Sequence, residues 1–152
     1  MKDRKVQILD TTLREGEQTP GVSFKISQKI QIVKLLNQFG VDYIEVGHPI
    51  VSKDIYSFIE KVSKLKLNSK LIAHSRLLKK DIDKVIELNI PWIGLFFDIC
   101  ENRLEKKYGI NEKKALEMII ECISYAKRHK LNVRFTAEDA SRTNFDVLLK
   151  TA

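Results

Sequence analysis

Short apolar runs alternate with longer amphipathic segments along this whole sequence, with a period of roughly thirty residues. This alternation is typical of repeated β/α units, in which helices join parallel strands and cover the sheet. The apolar runs predict strands at residues 6–10, 43–47, 70–74, 92–97 and 132–136. Each run leads into a polar residue or a glycine, so polar side chains should collect at one edge of the sheet.

The segments between the strands have the apolar spacing of helices. In the first of them the spacing fits either of two faces, which are Ile26, Ile30, Val33 and Leu36, or Ile32, Leu35 and Phe39. Gly40 then supplies a C-terminal stop. Further helices are predicted at residues 55–65, 80–88 and 112–129, with Asn111 as the N-cap of the last one.

The length of the chain limits which β/α fold it can complete. A full (β/α)8 barrel takes about 250 residues, whereas this chain has 152. If the fold is such a barrel, we expect about the first five of its eight units, in one partial TIM-barrel domain over residues 1–152. The sequence stops at residues 150–152 inside a predicted helix, which favours an N-terminal fragment.

Composition excludes several other classes of protein. The net charge is +7, but the lysines are spread over predicted helix faces among acidic residues, without interleaved aromatic residues, so we expect no nucleic-acid partner. No apolar run approaches the roughly 18 residues that cross a membrane. The two cysteines, Cys100 and Cys122, form no metal-binding or redox pattern, which indicates a reducing cytoplasm.

Packed charge directly follows the first predicted strand, which we expect to be buried from residue 6 to residue 9. In the turn at residues 10–21, Arg14 and Glu15 are adjacent and opposite in charge, and both can face one cavity. Arg14 offers five donors to an oxyanion, and Glu15 offers carboxylate oxygen to a hard divalent cation. Asp10, at the end of the strand, is the rival metal ligand, although bracing the turn is its simpler role.

The alternation alone fits an open doubly wound sheet as well as a barrel. A dinucleotide-binding sheet would have a glycine-rich turn after its first strand, and here glycines stand only at positions 16 and 21. Charged residues at several strand ends are instead how barrel enzymes collect their catalytic groups. These observations favour the barrel, and the choice also rests on the family resemblance given below.

Two further motifs place histidines at strand ends. Residues 44–49 read Ile-Glu-Val-Gly-His-Pro, where Glu45 and His48 lie near the expected mouth of the barrel. A histidine before proline is extended and is more often structural than functional. Residues 71–76 end in His74, Ser75 and Arg76, where a purely structural His74 and a substrate-binding one are equally plausible.

The last motif, residues 133–143, alternates as a strand does and places Arg134, Thr136 and Glu138 on one side. An unpaired arginine inside a barrel is costly, so Arg134 should find either Glu138 or a substrate carboxylate.

The turn Asp-Thr-Thr-Leu-Arg-Glu-Gly-Glu-Gln at residues 10–18 resembles the opening signature of the homocitrate synthase and isopropylmalate synthase family. The Gly-His-Pro, His-Ser-Arg and Phe-Thr-Ala-Glu-Asp elements are most similar to the archaeal-type homocitrate branch, and the resemblance spans essentially the whole chain. It implies a metal-dependent TIM-barrel acyltransferase. The implied reaction condenses acetyl-CoA with 2-oxoglutarate to (R)-homocitrate and CoA, in lysine biosynthesis through α-aminoadipate.

The resemblance also implies roles for individual residues. Glu15 is the implied ligand of Mg²⁺ or Mn²⁺, and Arg14 the implied catalytic donor, which also contacts the substrate. The implied contacts to 2-oxoglutarate are His74, Arg134, Thr136, Glu45 and Glu138. The resemblance further implies a homodimer for the full-length protein.

Some of the family's features are missing from these 152 residues. The two histidines of an HxH element that complete the metal shell are absent, as is the expected base for acetyl-CoA, so we expect this chain alone to be inactive. Gly94 stands where some homocitrate synthases carry an acidic residue that senses lysine, which puts lysine inhibition in doubt.

Two alternatives remain open. The first is a 2-isopropylmalate or citramalate synthase, which would leave His74 and Arg134 without a purpose. The second is a noncatalytic half-barrel that pairs with a partner chain, since an isolated half-barrel exposes unpaired strand edges.

Overall fold

Five parallel strands form one sheet in the computed structural model, which describes residues 6–151. The strands are β1 (Leu9–Asp10), β2 (Tyr43–Glu45), β3 (Lys70–Arg76), β4 (Trp92–Asp98) and β5 (Asn132–Glu138). They pair in sequence order, β1-β2-β3-β4-β5. Sequential order is that of a barrel, because a doubly wound sheet reverses its strand order at a switch point. The five strands curl into a half-barrel, which confirms the predicted partial TIM barrel.

Helices follow the strands in the expected alternation. They are α1 (Ile26–Phe39), α2 (Lys53–Ser63), α3 (Lys79–Glu87), α4 (Glu101–Arg103, continued by a π-helical turn over Leu104–Tyr108), α5 (Glu112–Arg128) and α6 (Phe145–Thr151). The predicted stops and caps are confirmed, since Gly40 ends α1 with a positive φ of 94° and the Asn111 side chain accepts from the Lys114 amide. Within the described range, no helix is long and apolar enough to cross a membrane.

The helix α4 was not among the predicted elements. Leu104 is its only buried residue, and the rest of the segment is exposed and mostly charged. A segment with one buried position has no apolar periodicity, so the pattern that identified the other helices was absent.

The sheet has two chemically different faces. The face toward the helices is apolar, and its buried side chains include Ile44, Ala73, Ile93 and Leu95. On α1 the face containing Val33 packs into this core, whereas Leu35 and Phe39 are exposed, which decides between the two predicted faces. The opposite face lines the inside of the half-barrel and carries Glu45, His74, Gly94 and Arg134 in neighbouring strands.

The first strand differs from its prediction. Only Leu9 and Asp10 are strand, and Val6 and Ile8 are 83% and 53% exposed, so the expected buried strand over residues 6–10 is wrong in length and in burial. The physical reason is that, in the sheet formed by residues 6–151, β1 is an edge strand with only β2 beside it. By contrast, β3, β4 and β5 run one or two residues beyond the predicted ends.

Candidate active site

The loop after β1 is a tight turn built around Thr11 and Asp10. The amides of Arg14, Glu15 and Gly16 all point to the Thr11 carbonyl, at 3.0, 2.8 and 3.3 Å. Asp10 accepts hydrogen bonds from the amide and the hydroxyl of Thr12, at 3.0 and 3.2 Å. The Asp10 carboxylate is therefore engaged in bracing the turn.

The core positions the charged residues of this loop. Leu13 is only 2% exposed, and its carbonyl oxygen would lie 3.7 Å from a Cβ added at Gly47, just beyond β2. Arg14 and Glu15 follow at once, and their side chains form an ion pair of 2.5 Å between Nη1 and Oε1. The Arg14 side chain is 20% exposed and that of Glu15 is 56% exposed, so the carboxylate faces the open side.

A second carboxylate of the loop has a structural role. Glu17 accepts from the ammonium of Lys29 on α1 at 2.6 Å and from the Phe24 amide at 3.3 Å. Lys29 is buried and lies over the Phe58 ring. This contact fixes the loop to α1.

The chemistry of the loop fits only part of a divalent-metal site. Glu15 offers a carboxylate oxygen, the ligand type that Mg²⁺ and Mn²⁺ prefer. However, residues 6–151 contain no group of three histidine, cysteine or acidic side chains that could hold a metal ion. Glu15 therefore stays a predicted ligand, and the described residues do not complete a metal site around it.

Three predicted substrate-binding residues from different strands meet on the inner face. Glu45 Oε1 at the end of β2 lies 2.9 Å from His74 Nε2 on β3 and 2.5 Å from Arg134 Nη2 on β5. His74 Nε2 and Arg134 Nη2 are 3.4 Å apart. We call Glu45, His74 and Arg134 the inner cluster.

The inner cluster is buried and electrostatically coupled. Glu45 and His74 are 1% and 5% exposed, and the Arg134 side chain is 33% exposed. Burial favours the neutral carboxyl of Glu45, but His74 and Arg134 outweigh it and hold the pKa of Glu45 below its ordinary value. Glu45 is therefore an anion between two donors.

Donors and acceptors of the inner cluster remain unused. Among residues 6–151, three buried polar side-chain atoms lack a hydrogen-bond partner, and two of them are His74 Nδ1 and Arg134 Nε. Since buried polar groups in folded proteins are almost always paired, such atoms at one place indicate a ligand or a functional role.

Gly94 lies directly beside the inner cluster. Strand register places it between His74 on β3 and Arg134 on β5. A Cβ at Gly94 would lie 3.4 Å from both Cδ2 and Nε2 of the His74 ring. A side chain at this position of β4 would therefore crowd the imidazole of His74.

The acidic residue that pairs with Arg134 differs from the one expected. Arg134 pairs with Glu45 and not with Glu138, because Glu138 lies four residues further along β5. Thr136 is exposed on β5, and neither Thr136 nor Glu138 has a side-chain hydrogen bond within the described part of the chain. Both lie on the inner face beyond Arg134.

His48 belongs to a neighbouring group. Its Nε2 lies 3.5 Å from Asp81 Oδ2, and Asp81 is fully buried and accepts from Arg76 Nε at 2.6 Å. Burial lowers the pKa of His48, and Arg76 lowers it further, although Asp81 acts in the opposite direction. The rings of His48 and His74 both pack on Phe96.

The sequence reasoning missed the buried carboxylate at the end of β4. Asp98 is fully buried and accepts from Arg103 at 3.0 Å, Lys107 at 2.9 Å and Tyr108 at 3.3 Å, all on α4. Its signal was present, because Asp98 directly follows an apolar run, as Asp10 does. We call Asp98 and these three residues the α4 network.

A cleft of about 1020 Å³ lies beside α4, between the loops that follow β4 and β5. Its charged lining residues include Glu112, which pairs with Lys150, and Arg142, which pairs with Asp139. The cleft contains none of the predicted site residues, so we assign the candidate site to the inner cluster and the Arg14 loop.

Comparison with known proteins identifies the family of this chain. The sequence model of the family described as HMGL-like matches residues 5–152. The homocitrate synthase of Sulfurisphaera tokodaii is 50% identical over 150 residues, which cover 96% of this chain and 33% of that protein. The homocitrate synthase of Saccharolobus solfataricus is 48% identical over 149 residues. The chain thus spans about one third of the length of these curated relatives.

Solved structures show the same fold. The hydroxymethylglutaryl-CoA lyase of Pseudomonas aeruginosa superposes with a TM-score of 0.66 at 22% identity, over 85% of this chain and 44% of that one. The HMG-CoA lyase of Bacillus subtilis gives the same TM-score at 18% identity, with the same coverage of both chains. At such identities the likeness concerns the fold alone.

Proposed function

This chain belongs to the HMGL-like family, and from that premise we propose that it carries part of the catalytic domain of a homocitrate synthase. The proposed reaction condenses acetyl-CoA with 2-oxoglutarate and hydrolyses the thioester, which gives (R)-homocitrate and CoA and begins lysine formation through α-aminoadipate. The inner cluster is the observation that carries the proposal.

The inner cluster suits an acceptor with a second carboxylate. Arg134 uses Nη2 on Glu45, while its Nε is buried without a partner, so the guanidinium has capacity for another oxyanion. An oxo acid with an apolar side chain would leave the buried Arg134 Nε donor unpaired, which is costly. The cluster therefore favours 2-oxoglutarate over 2-oxoisovalerate or pyruvate.

The remaining predicted residues have complementary roles in the proposal. Thr136 and Glu138 extend the substrate surface along β5. Arg14 would donate to the ketone oxygen as negative charge develops there, a contribution of about 3 kcal/mol in comparable oxyanion sites. Glu15 would be one ligand of Mg²⁺ or Mn²⁺, and the bound ion would polarise the 2-oxo group. The Arg14–Glu15 ion pair would separate when both bind their ligands.

The test is a substrate panel with the complete encoded product that contains this chain. Acetyl-CoA consumption with Mg²⁺ or Mn²⁺ is measured with 2-oxoglutarate, 2-oxoisovalerate and pyruvate, in the wild type, Arg134→Ala and Arg103→Ala. Arg103 is the matched control, because it pairs with the buried Asp98 outside the inner cluster.

We expect turnover with 2-oxoglutarate only. Removing one partner of a buried charge pair costs about 2 to 5 kcal/mol, so Arg134→Ala should lower kcat/KM at least about 30-fold. Arg103→Ala should stay within about threefold of the wild type, because its side chain is 46% exposed. Preference for 2-oxoisovalerate or pyruvate would favour an isopropylmalate or citramalate synthase, and no turnover with any acceptor would favour the noncatalytic half-barrel.

A further inference from the structure

The inner cluster already contains the counter-charge for its own arginine. Glu45 is 1% exposed and lies within 2.5 Å of Arg134 and 2.9 Å of His74. With a neutral imidazole, the charges of Glu45 and Arg134 cancel. The cluster is therefore balanced before any substrate carboxylate arrives.

A second carboxylate upsets this balance. If the distal carboxylate of an oxo acid binds Arg134, two carboxylates share one guanidinium in a mostly buried space. Two like charges at such a distance strongly disfavour the doubly ionised state, and one proton is then taken up. The question is which atom receives that proton.

His74 is the side chain whose surroundings suit it to bind this proton. Its Nε2 lies 2.9 Å from the Glu45 carboxylate, an acceptor, and 3.4 Å from Arg134 Nη2, a donor. We assign the proton of a neutral ring to Nε2 because the carboxylate is the nearer and charged partner, which leaves the lone pair on Nδ1. The Nδ1 atom is buried without a partner, and the His74 side chain is 7% exposed. A proton on Nδ1 would convert this unused acceptor into a donor beside the incoming anion.

We propose that recognition of the second carboxylate is proton-linked: binding of a dianionic 2-oxo acid is accompanied by uptake of one proton on His74. The inference rests on the proposed function, because it assumes that the distal carboxylate binds at Arg134. His74 would then distinguish a dicarboxylate from an oxo acid of equal length that lacks the distal charge.

Among residues 6–151, the surroundings of His74 contain no better proton acceptor. Glu45 approaches from β2, Arg134 from β5 and the Phe96 ring from β4, while Gly94 contributes no side chain. His48 packs on the other side of Phe96 and is held near Asp81 and Arg76. Glu45 is a weaker candidate, because His74 and Arg134 keep its pKa below the ordinary value against the effect of burial.

Titration calorimetry of the complete protein tests the proposal. Binding of 2-oxoglutarate, without acetyl-CoA and with saturating Mg²⁺, is measured at about pH 8, where an ordinary histidine is neutral, in buffers of different ionisation enthalpy. The comparator is 2-oxopentanoate, which has the same 2-oxo carboxylate end and no distal carboxylate. Any proton release at the metal therefore cancels between the two ligands.

We expect one more proton taken up with 2-oxoglutarate than with 2-oxopentanoate. Because binding takes up a proton, the affinity for 2-oxoglutarate should fall as pH rises, by up to about tenfold per pH unit relative to the comparator. In His74→Asn the difference in proton uptake should vanish, and His48→Asn, which removes the other histidine beside Phe96, should retain it. Glu45→Gln is a second variant in which uptake should also vanish, because no second anion is then present.

The outcomes separate the two proposals. Binding of 2-oxoglutarate with no excess proton uptake, or uptake that persists in His74→Asn, would overturn the proposal of proton-linked binding. The proposed homocitrate synthase function would be unaffected. A wild-type protein that fails to bind 2-oxoglutarate would overturn both.

Discussion

Glu45 and Asp98 are both buried carboxylates at strand ends with a lowered pKa, but their hydrogen-bond partners come from different parts of the fold. Asp98 accepts from three donors on the helix that directly follows it, five to ten residues away. Glu45 contacts His74 and Arg134 on other strands. Within residues 6–151, buried unpaired atoms occur at both partners of Glu45 and at none of the partners of Asp98.

This difference distinguishes a structural contact, at Asp98, from a candidate binding site, at Glu45. The cations of the α4 network are about half exposed, so their spare donors reach water, and the carboxylate ties one helix to the end of β4. In the inner cluster the spare donor and acceptor are shielded from water, and a ligand is the group that can use them. Burial of a carboxylate alone would not have distinguished the two sites.

The largest expected difference between the two carboxylates is in how much each contributes to the free energy of unfolding. Asp98→Asn removes the charge that receives two cationic donors, and we expect the free energy of unfolding to fall by about 2 kcal/mol, toward the low end for charged hydrogen bonds because the cations are screened by water. Glu45→Gln should cost less than about 1 kcal/mol, because losing the ion pairs is offset by no longer burying a carboxylate.

Urea unfolding of both variants measures this difference. A Glu45→Gln variant that is as destabilised as Asp98→Asn would show that the inner cluster is also a structural contact, and would weaken its assignment as a binding site.

At acid pH, the stability difference between the wild type and Asp98→Asn should become smaller. Burial opposes ionisation there, but Lys107 and Arg103 outweigh it and hold the pKa of Asp98 below its ordinary value of 3.8. A carboxyl with a lowered folded pKa stabilises the protein above the unfolded pKa, and this stability is lost as pH falls through the folded value. The gap between wild type and Asp98→Asn should therefore narrow below about pH 4.

The measurement is urea unfolding of both proteins at a series of pH values between neutral and acid. A gap that stays constant into acid would mean that the charge of Asp98 is not the source of the stability difference.

Gly94→Ala tests whether the inner cluster needs its precise geometry. The new Cβ would lie 3.4 Å from the His74 ring, so the imidazole must shift by a few tenths of an ångström. We expect kcat/KM for 2-oxoglutarate to fall about three- to tenfold, since displacement of a binding group weakens oriented contacts. Stability should be unchanged or higher, because alanine is less flexible than glycine in a strand.

Steady-state kinetics and urea unfolding of the same preparation separate these two effects. Equal losses of activity and stability would indicate general damage to the sheet and would remove the argument for a special role of Gly94.

The sequence predicted the parts of the fold that depend on local pattern. The apolar spacing of α1, the stop at Gly40 and the cap at Asn111 are all local, and all are confirmed. The failures have physical causes. Within residues 6–151, Val6 and Ile8 have no second strand beside them, and burial at an edge depends on what packs there.

The candidate site was predictable residue by residue but not in its contacts. Glu45 and His74 were recognised near strand ends, and Arg134 was recognised from the alternation of its strand. Their meeting depends on register across three strand pairs, which a single sequence does not display. Asp98 was predictable by the rule applied to the other strand ends, whereas its partners on α4 were not, because that helix has no apolar period.

The smallest expected effect concerns a pair that is as short as those in the inner cluster. Lys79 Nζ and Glu121 Oε1 are 2.6 Å apart and join α3 to α5, but both side chains are more than half exposed. Water solvates each charge as well as the partner does, and holding two long side chains together costs entropy. Lys79→Met should therefore leave the urea midpoint unchanged within error, in contrast to Asp98→Asn. A clear loss of stability would show that the length of an ion pair matters more for stability than its burial. The distinction between the Asp98 contact and the inner cluster would then have to rest on ion-pair length and not on unused buried atoms.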